Sequence, residues 1–205
     1  MIQYADETHT GIVYYNDHND PDSVIFDFDG GSAGAALFYF VYDDQHRLIE
    51  SREDYSRNPD DYYFKHSYVY ENGIIVRDTT RVREAGQWTE VRNLHYDLNG
   101  RIVREDRHII ELDYNPADED ADPFEYAYDS MGNLDGETVS YDNKTNFLRT
   151  NKVWMFTQRN YSMNNRQNVT SYNDFGLPLT FDVNERPRFL IVWGPDAIEY
   201  ECDPN

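Results

Sequence analysis

The sequence predicts an all-β fold: an antiparallel meander of repeated β-hairpins in one extended, wrapped sheet, with a short, partly helical insert near residues 144–165. Three observations predict it. The first is a recurring phrase made of an aromatic strand end, a polar turn and a β-branched or aliphatic strand start. It reads Tyr42-Asp43-Asp44-Gln45-His46-Arg47-Leu48-Ile49, Tyr70-Glu71-Asn72-Gly73-Ile74-Ile75-Val76, Tyr96-Asp97-Leu98-Asn99-Gly100-Arg101-Ile102-Val103, Tyr128-Asp129-Ser130-Met131-Gly132-Asn133-Leu134 and Tyr172-Asn173-Asp174-Phe175-Gly176-Leu177. The second is its spacing. Anchors at 42, 70, 96 and 128 lie 28, 26 and 32 residues apart, room for two strands and two connections, before a step of 44 to Tyr172. Self-similarity at such a period marks an array of units stabilised by their neighbours. The third is composition: only 39% of the chain is hydrophobic, yet 16% is aromatic, with 18 Tyr. Tyrosine buries a ring while its hydroxyl stays wet, which suits a sheet with one poorly covered face.

Within the phrase, Asn-Gly supplies two residues that accept positive φ, the requirement of a tight primed hairpin turn. The flanking Tyr, Ile and Val fit a pleated, half-buried surface. No Ser, Gly or Pro stretch is long enough to be a linker, so residues 1–205 are expected to form a single domain.

Taken in order, residues 1–23 are polar, with a short strand at 12–15 and a turn cluster at 17–22. A strand over 24–28 leads to a Gly-rich bend that lacks the Lys and Ser or Thr of a phosphate loop. Residues 37–42 are the most apolar strand, returned by 47–51. A loop at 57–61 precedes a strand over 62–70 with rings at alternate positions, and 74–83, a turn at 84–87 and 88–96 continue the meander. The strands 88–96 and 101–107 have no cleanly apolar face, and their charges read as a solvated surface with pairs across strands. Asp118-Glu119-Asp120-Ala121-Asp122 reads as a solvated acidic loop; Pro123 and Asp129 stand where a calcium loop needs Gly and Glu. Residues 144–165 fit neither a period of 2 nor of 3.6, and helical turns are expected near 153–158 with Asn151 as a cap. This insert is expected to cover an open side or end of the sheet. Strands at 177–182 and 189–193 close the chain.

The repeated Tyr-Asp-x-x-Gly phrase, over roughly residues 35–182, resembles the YD repeat of RHS-type proteins, which implies stacked antiparallel hairpins in a wrapped sheet. A second resemblance rests on Tyr141-Asp142-Asn143-Lys144-Thr145-Asn146-Phe147, then Asn164-Asn165 and Asn168-Val169-Thr170-Ser171-Tyr172. That set is similar to a family of uncharacterised secreted lipoproteins of gut anaerobes, which carries a Pro between the Asn and Phe that this chain lacks. The resemblance implies an extracytoplasmic place, at the outer surface or in the periplasm, and implies no activity. Residues 1–20 contain no basic and apolar signal segment, so a targeting segment would lie outside these residues.

The chain carries 39 Asp and Glu against 18 Lys and Arg, a formal net charge of -21. No basic footprint for phosphate exists, so nucleic acid is not an expected partner, and anionic membrane surfaces are disfavoured. No apolar run reaches the roughly 18 residues of a membrane span. The lone Cys202 precludes an internal disulfide and reads as a free thiol. No HExxH, GxSxG, CxxC or phosphate-loop pattern occurs, and His9, His18, His46, His66, His95 and His108 show no ligand spacing, so no catalytic residue, metal or cofactor is assigned. Asn143, Asn160 and Asn168 each begin an Asn-x-Ser/Thr triplet. The expected function is a non-enzymatic binding or structural module whose partner is a glycan or a protein. The alternatives are a purely structural repeat segment and a carbohydrate-active enzyme, whose two carboxylates are defined in space and not in sequence. Trp154, Phe156 and Tyr161 are the candidate binding residues, because they are rings outside the repeat hairpins and sugars stack on ring faces.

Overall fold

A computed structural model describes residues 2–5, 9–28, 36–54, 62–83, 88–111, 119–136, 139–182 and 197–200. Its strands are β1 (Ile2–Ala5), β2 (His9–Tyr15), β3 (Pro21–Phe28), β4 (Ala36–Tyr42), β5 (Leu48–Asp54), β6 (Phe64–Glu71), β7 (Ile74–Val82), β8 (Trp88–Tyr96) and β9 (Ile102–Glu111). They continue with β10 (Glu119–Glu125), β11 (Tyr141–Thr145), β12 (Asn164–Arg166), β13 (Val169–Tyr172), β14 (Pro178–Phe181) and β15 (Ala197–Tyr200). Between β11 and β12 lie a 3-10 turn, Phe147–Thr150, and α1 (Lys152–Thr157). The fold is all-β and antiparallel, as the repeated phrases predict. No helix among the described residues is long and apolar enough to cross a membrane. The Gly-rich bend at 30–34, the loop at 57–61, the turn at 84–87, Asp118, the strand expected at 189–193 and Cys202 lie outside the described residues.

The chain divides into two compact units, one of residues 22–25 and 31–126, the other of residues 1–21, 26–30 and 127–205. In the first, β4 to β10 form a meander in which each strand pairs antiparallel with the next. In the second, β2, β1, β15, β14 and β13 pair in that order, and β11 pairs with β12.

The turns depart from the expected type, and the cause is a side chain. Only Asn72-Gly73 is a two-residue primed turn, with φ of 50° and 83°. At Tyr96 the turn is built by Asp97: its Oδ1 accepts from the N–H groups of Asn99 at 2.9 Å and Arg101 at 3.0 Å. The Asp97 N–H donates to the Arg101 carbonyl, and the Gly100 N–H donates to the Asp97 carbonyl. The same set of bonds recurs at Asp43, Asp129 and Asn173. It recurs also at Asn16, where Tyr15-Asn16 begins a turn that the repeated phrases do not include. Only the fourth residue needs positive φ, and it is Gly at 100, 132 and 176, His at 46 and Asn at 19. The side-chain acceptor, more than the glycine, therefore defines the repeat. Gly100 holds φ of +73° with open space around a would-be Cβ, so only backbone strain opposes a side chain there. Gly100→Ala is expected to lower stability by about 1 kcal/mol in a urea titration, and an unchanged midpoint would show that the turn tolerates a side chain.

The tyrosine of the phrase also has a definite task. The Tyr96 hydroxyl donates to the Ile75 carbonyl at 2.6 Å, and the Tyr70 hydroxyl donates to the Leu48 carbonyl at 3.1 Å, so each hairpin is tied to the one before it. A register shift falls just before the tyrosine of β4, β6 and β8, with the extra residue, Ile49, Val76 or Val103, on the strand that follows. Arg47 lies over the Tyr70 ring, 4.9 Å from its centroid.

Two sequence expectations are corrected. Glu119–Glu125, expected as a solvated acidic loop in its first half, is strand β10. Its partner β9 is basic where it matters: Arg104 forms an ion pair with Glu125 at 2.8 Å, and Arg107 donates to the Asp122 carbonyl. The misfit at Asp122-Pro123 is absorbed as a register shift between Ala121 and Phe124, since Pro cannot donate to the ladder. The charges on β8 and β9, expected to be solvated, are in part buried: Glu90 is 1% exposed and Glu105 0%. They survive there because cations reach Glu90 from its own strand, Arg92, and from the neighbouring β9, Arg107, while the Tyr126 hydroxyl donates to Glu105 at 2.7 Å.

Candidate functional site

The segment that breaks the repeat, residues 144–165, is where the structure builds a cavity. The two ends of its helix fix the path of the chain around that cavity. Asn151 caps the start of α1, its side chain accepting from the Val153 N–H at 2.8 Å, as expected. At the other end Arg159 adopts φ of +50°, and the N–H groups of Arg159 and Asn160 donate back to the carbonyls of Phe156 and Met155. This left-handed termination turns the chain sharply and sets Asn160 at the cavity wall.

The opposite wall rests on one carboxylate. Asp142 accepts from the Lys144 and Asn165 N–H groups, from the Asn165 side-chain amide at 3.2 Å and from the Tyr172 hydroxyl. Asn165 in turn accepts from the Phe147 N–H at 3.1 Å and donates to the Thr145 carbonyl at 3.0 Å. Burial, and then the hydrogen bond to the Asp142 carboxylate, push the Tyr172 hydroxyl above the usual phenol range, so it stays a neutral donor. Asn133 and Asn164 add a reciprocal pair: the Asn164 N–H donates to Asn133 Oδ1, and Asn133 Nδ2 donates to Asn164 Oδ1. Asp142, Asn165 and Tyr172 of the Tyr141-to-Tyr172 pattern are thus brought together, bonded to one another and to backbone.

The cavity measures about 300 Å³. Its apolar side is Leu134, Phe147, Leu148 and Phe181, with the Phe147 and Phe181 rings edge to face at 6.1 Å. Its polar side includes Asn146, Asn160 and Arg166. Asn146 and Asn160 have their Oδ1 atoms engaged by the N–H groups of Leu148 and Ser162, at 3.0 Å each, which orients both amides. Their Nδ2 groups meet no acceptor among the described residues, and the Arg166 guanidinium forms no ion pair among them. A cavity lined by apolar side chains and a few oriented donors has the make-up of a small-molecule site.

The three rings singled out in the sequence are not in the cavity lining. Trp154 is 1% exposed, its indole N–H donating to the Tyr15 hydroxyl at 3.3 Å, and Phe156 is 7% exposed beneath the Arg159 guanidinium. Neither offers a stacking face to solvent, and Tyr161 alone is partly exposed. The insert reaches the cavity through Asn146, Phe147, Leu148, Gln158, Asn160 and Asn165 instead. No sequence signal identified Asn146, Asn160 and Arg166 as neighbours, because single amides carry no spacing rule.

The carboxylate pair that most invites a catalytic reading is Glu90 and Glu105, on β8 and β9. Burial works to raise the Glu90 pKa, but hydrogen bonds and charge from Arg92, then Arg107, outweigh it and hold the group below the ordinary carboxylate range. A glycosidase acid needs the reverse shift.

No protein-family model matches the chain, and no curated protein matches it.

Proposed function

We propose that this chain is a non-enzymatic, extracytoplasmic β-repeat module that binds a glycan end group in the cavity beside α1. The observation that carries the reading is the cavity itself: about 300 Å³, lined both by the apolar Leu134, Phe147, Leu148 and Phe181 and by Asn146 and Asn160, whose amide donors have no protein acceptor among the described residues. A pyranose has the same division, with C–H faces for the rings and hydroxyl oxygens for the amides. The extracytoplasmic place is supported by the likeness of the Tyr141-to-Tyr172 pattern to secreted lipoproteins, and the binding role by the ionised, guanidinium-clamped state of Glu90.

Asn160→Asp tests it with little disturbance, since the carboxylate can still accept from the Ser162 N–H while the Nδ2 donor is lost. On a glycan array the parent is expected to retain a defined set of saccharides, and Asn160→Asp to lose them with an unchanged melting temperature. A parent that retains none, or a variant that retains the same set, contradicts the reading and leaves the purely structural repeat segment in its place.

A further inference from the structure

Resting on that reading of the cavity, we propose that its ligand is an acidic sugar, a hexuronic acid residue whose carboxylate is taken by Arg166. The cavity inverts the chain's charge: in a sequence with 39 acids and 18 bases, the described residues of its lining include one guanidinium and no carboxylate. Asp142, the acid to which the wall is tied, has its oxygens occupied by four donors and is not part of the lining.

Three of the lining side chains, Asn146, Asn160 and Arg166, hold donors toward a ligand. Because the Leu148 and Ser162 N–H groups bond the Oδ1 atoms of Asn146 and Asn160, each amide is fixed in orientation and keeps its Nδ2 donors for a ligand. Asn146 is held in this orientation at 4% exposure, as the cap of the 3-10 turn. Arg166, at the exposed end of β12, adds a planar fork of donors that suits a carboxylate and is spent on no ion pair among the described residues. A ligand matching this set is rich in acceptors, carries one negative charge and has an apolar face for Phe147 and Phe181. A neutral hexose meets the amides and rings but leaves the guanidinium without its anion. A simple carboxylate meets the guanidinium but leaves the apolar side empty.

The overall charge of -21 does not oppose this choice. It repels polyanions, which meet the surface over many contacts. A single carboxylate seated on a guanidinium is governed by its immediate partners, because exposed charges beyond a Debye length of about 8 Å at physiological salt are largely screened.

The test is calorimetric titration of the protein with methyl glucuronide, methyl glucoside and acetate at physiological salt. The expected order is glucuronide tightest, about tenfold tighter than glucoside, with acetate weaker than either. In Arg166→Gln, which keeps an exposed polar side chain at the rim, the glucuronide preference is expected to disappear while glucoside binding persists. Asn160→Asp is expected to weaken glucuronide more than glucoside, since it sets a second carboxylate beside the first. Equal binding of the two glycosides by the parent, or a preference that survives Arg166→Gln, overturns the acidic-sugar proposal and leaves the saccharide reading intact. Acetate binding as tight as glucuronide overturns the sugar class in favour of a plain carboxylate site. Absence of binding by both glycosides overturns the saccharide reading together with the proposal.

Discussion

Arg92→Ala is expected to destabilise the protein by about 3–5 kcal/mol, the loss that results when one partner of a buried ion pair is removed and the other stays. Arg92 lies between two buried carboxylates, 2.6 Å from Glu90 and 3.7 Å from Glu105. Arg107 would remain on Glu90, but Glu105 would lose its guanidinium neighbour. Urea titration reads the effect as a lower midpoint with an unchanged slope, since the surface exposed on unfolding is the same. The acid limb gives a second readout. Glu90 has a depressed pKa in the folded protein, so its contribution is present above the unfolded carboxylate value and is lost as pH falls through the folded one. Without Arg92 the largest opposing cause is gone and burial acts with less opposition, so the loss from Glu90 should be smaller and complete at a higher pH in Arg92→Ala than in the parent. A variant that matches the parent in both midpoint and acid limb would mean that these charges are solvated, as the sequence alone suggests.

Trp154→Ala is the second large effect, also about 3–5 kcal/mol, the sum of lost ring burial and an imperfectly collapsed cavity. Trp154 is among the largest fully buried side chains, packed with Val153 and Phe156 on one side of α1. Its size matters because α1 spans only six residues, too few to be stable by propensity, so the buried ring and the Asn151 cap hold it in place. Tyr161→Ala, at a partly exposed position, should cost less. A Trp154→Ala variant that melts like the parent and loses glycan binding would restore the ring as a contact residue and remove its assignment to packing.

Legibility in the sequence depended on where each signal resides. The hairpins were legible because turn chemistry is local: Tyr42, Tyr70, Tyr96 and Tyr172 each close a strand that pairs with the next. The Tyr128 phrase forms only a single bridge, Tyr128 to Leu134. The turn after Tyr15 is expected from its cluster of turn residues, but its kinship with the repeat is not legible, because Asn19 takes φ of +58° where most of the phrases carry glycine. The cap at Asn151 was legible for the same local reason. Burial of Glu90 and Glu105 was not, because it depends on which arginine stands opposite, and Arg92 faces Arg107 only once the β8–β9 register is fixed. The cavity was not legible either. Leu134, Asn146, Asn160, Arg166 and Phe181 share no motif, and only the folded chain brings them to one cavity.

Whether the cavity beside α1 is the binding site can be read from side-chain resonances recorded during titration with methyl glucuronide. Saturable shifts are expected for the Asn146 and Asn160 side-chain NH₂ signals and for the Arg166 guanidinium, with the indole N–H of Trp154 little changed. Saturable shifts centred on Tyr161 or on the β8–β9 strands, with those of Asn146, Asn160 and Arg166 unmoved, would contradict it.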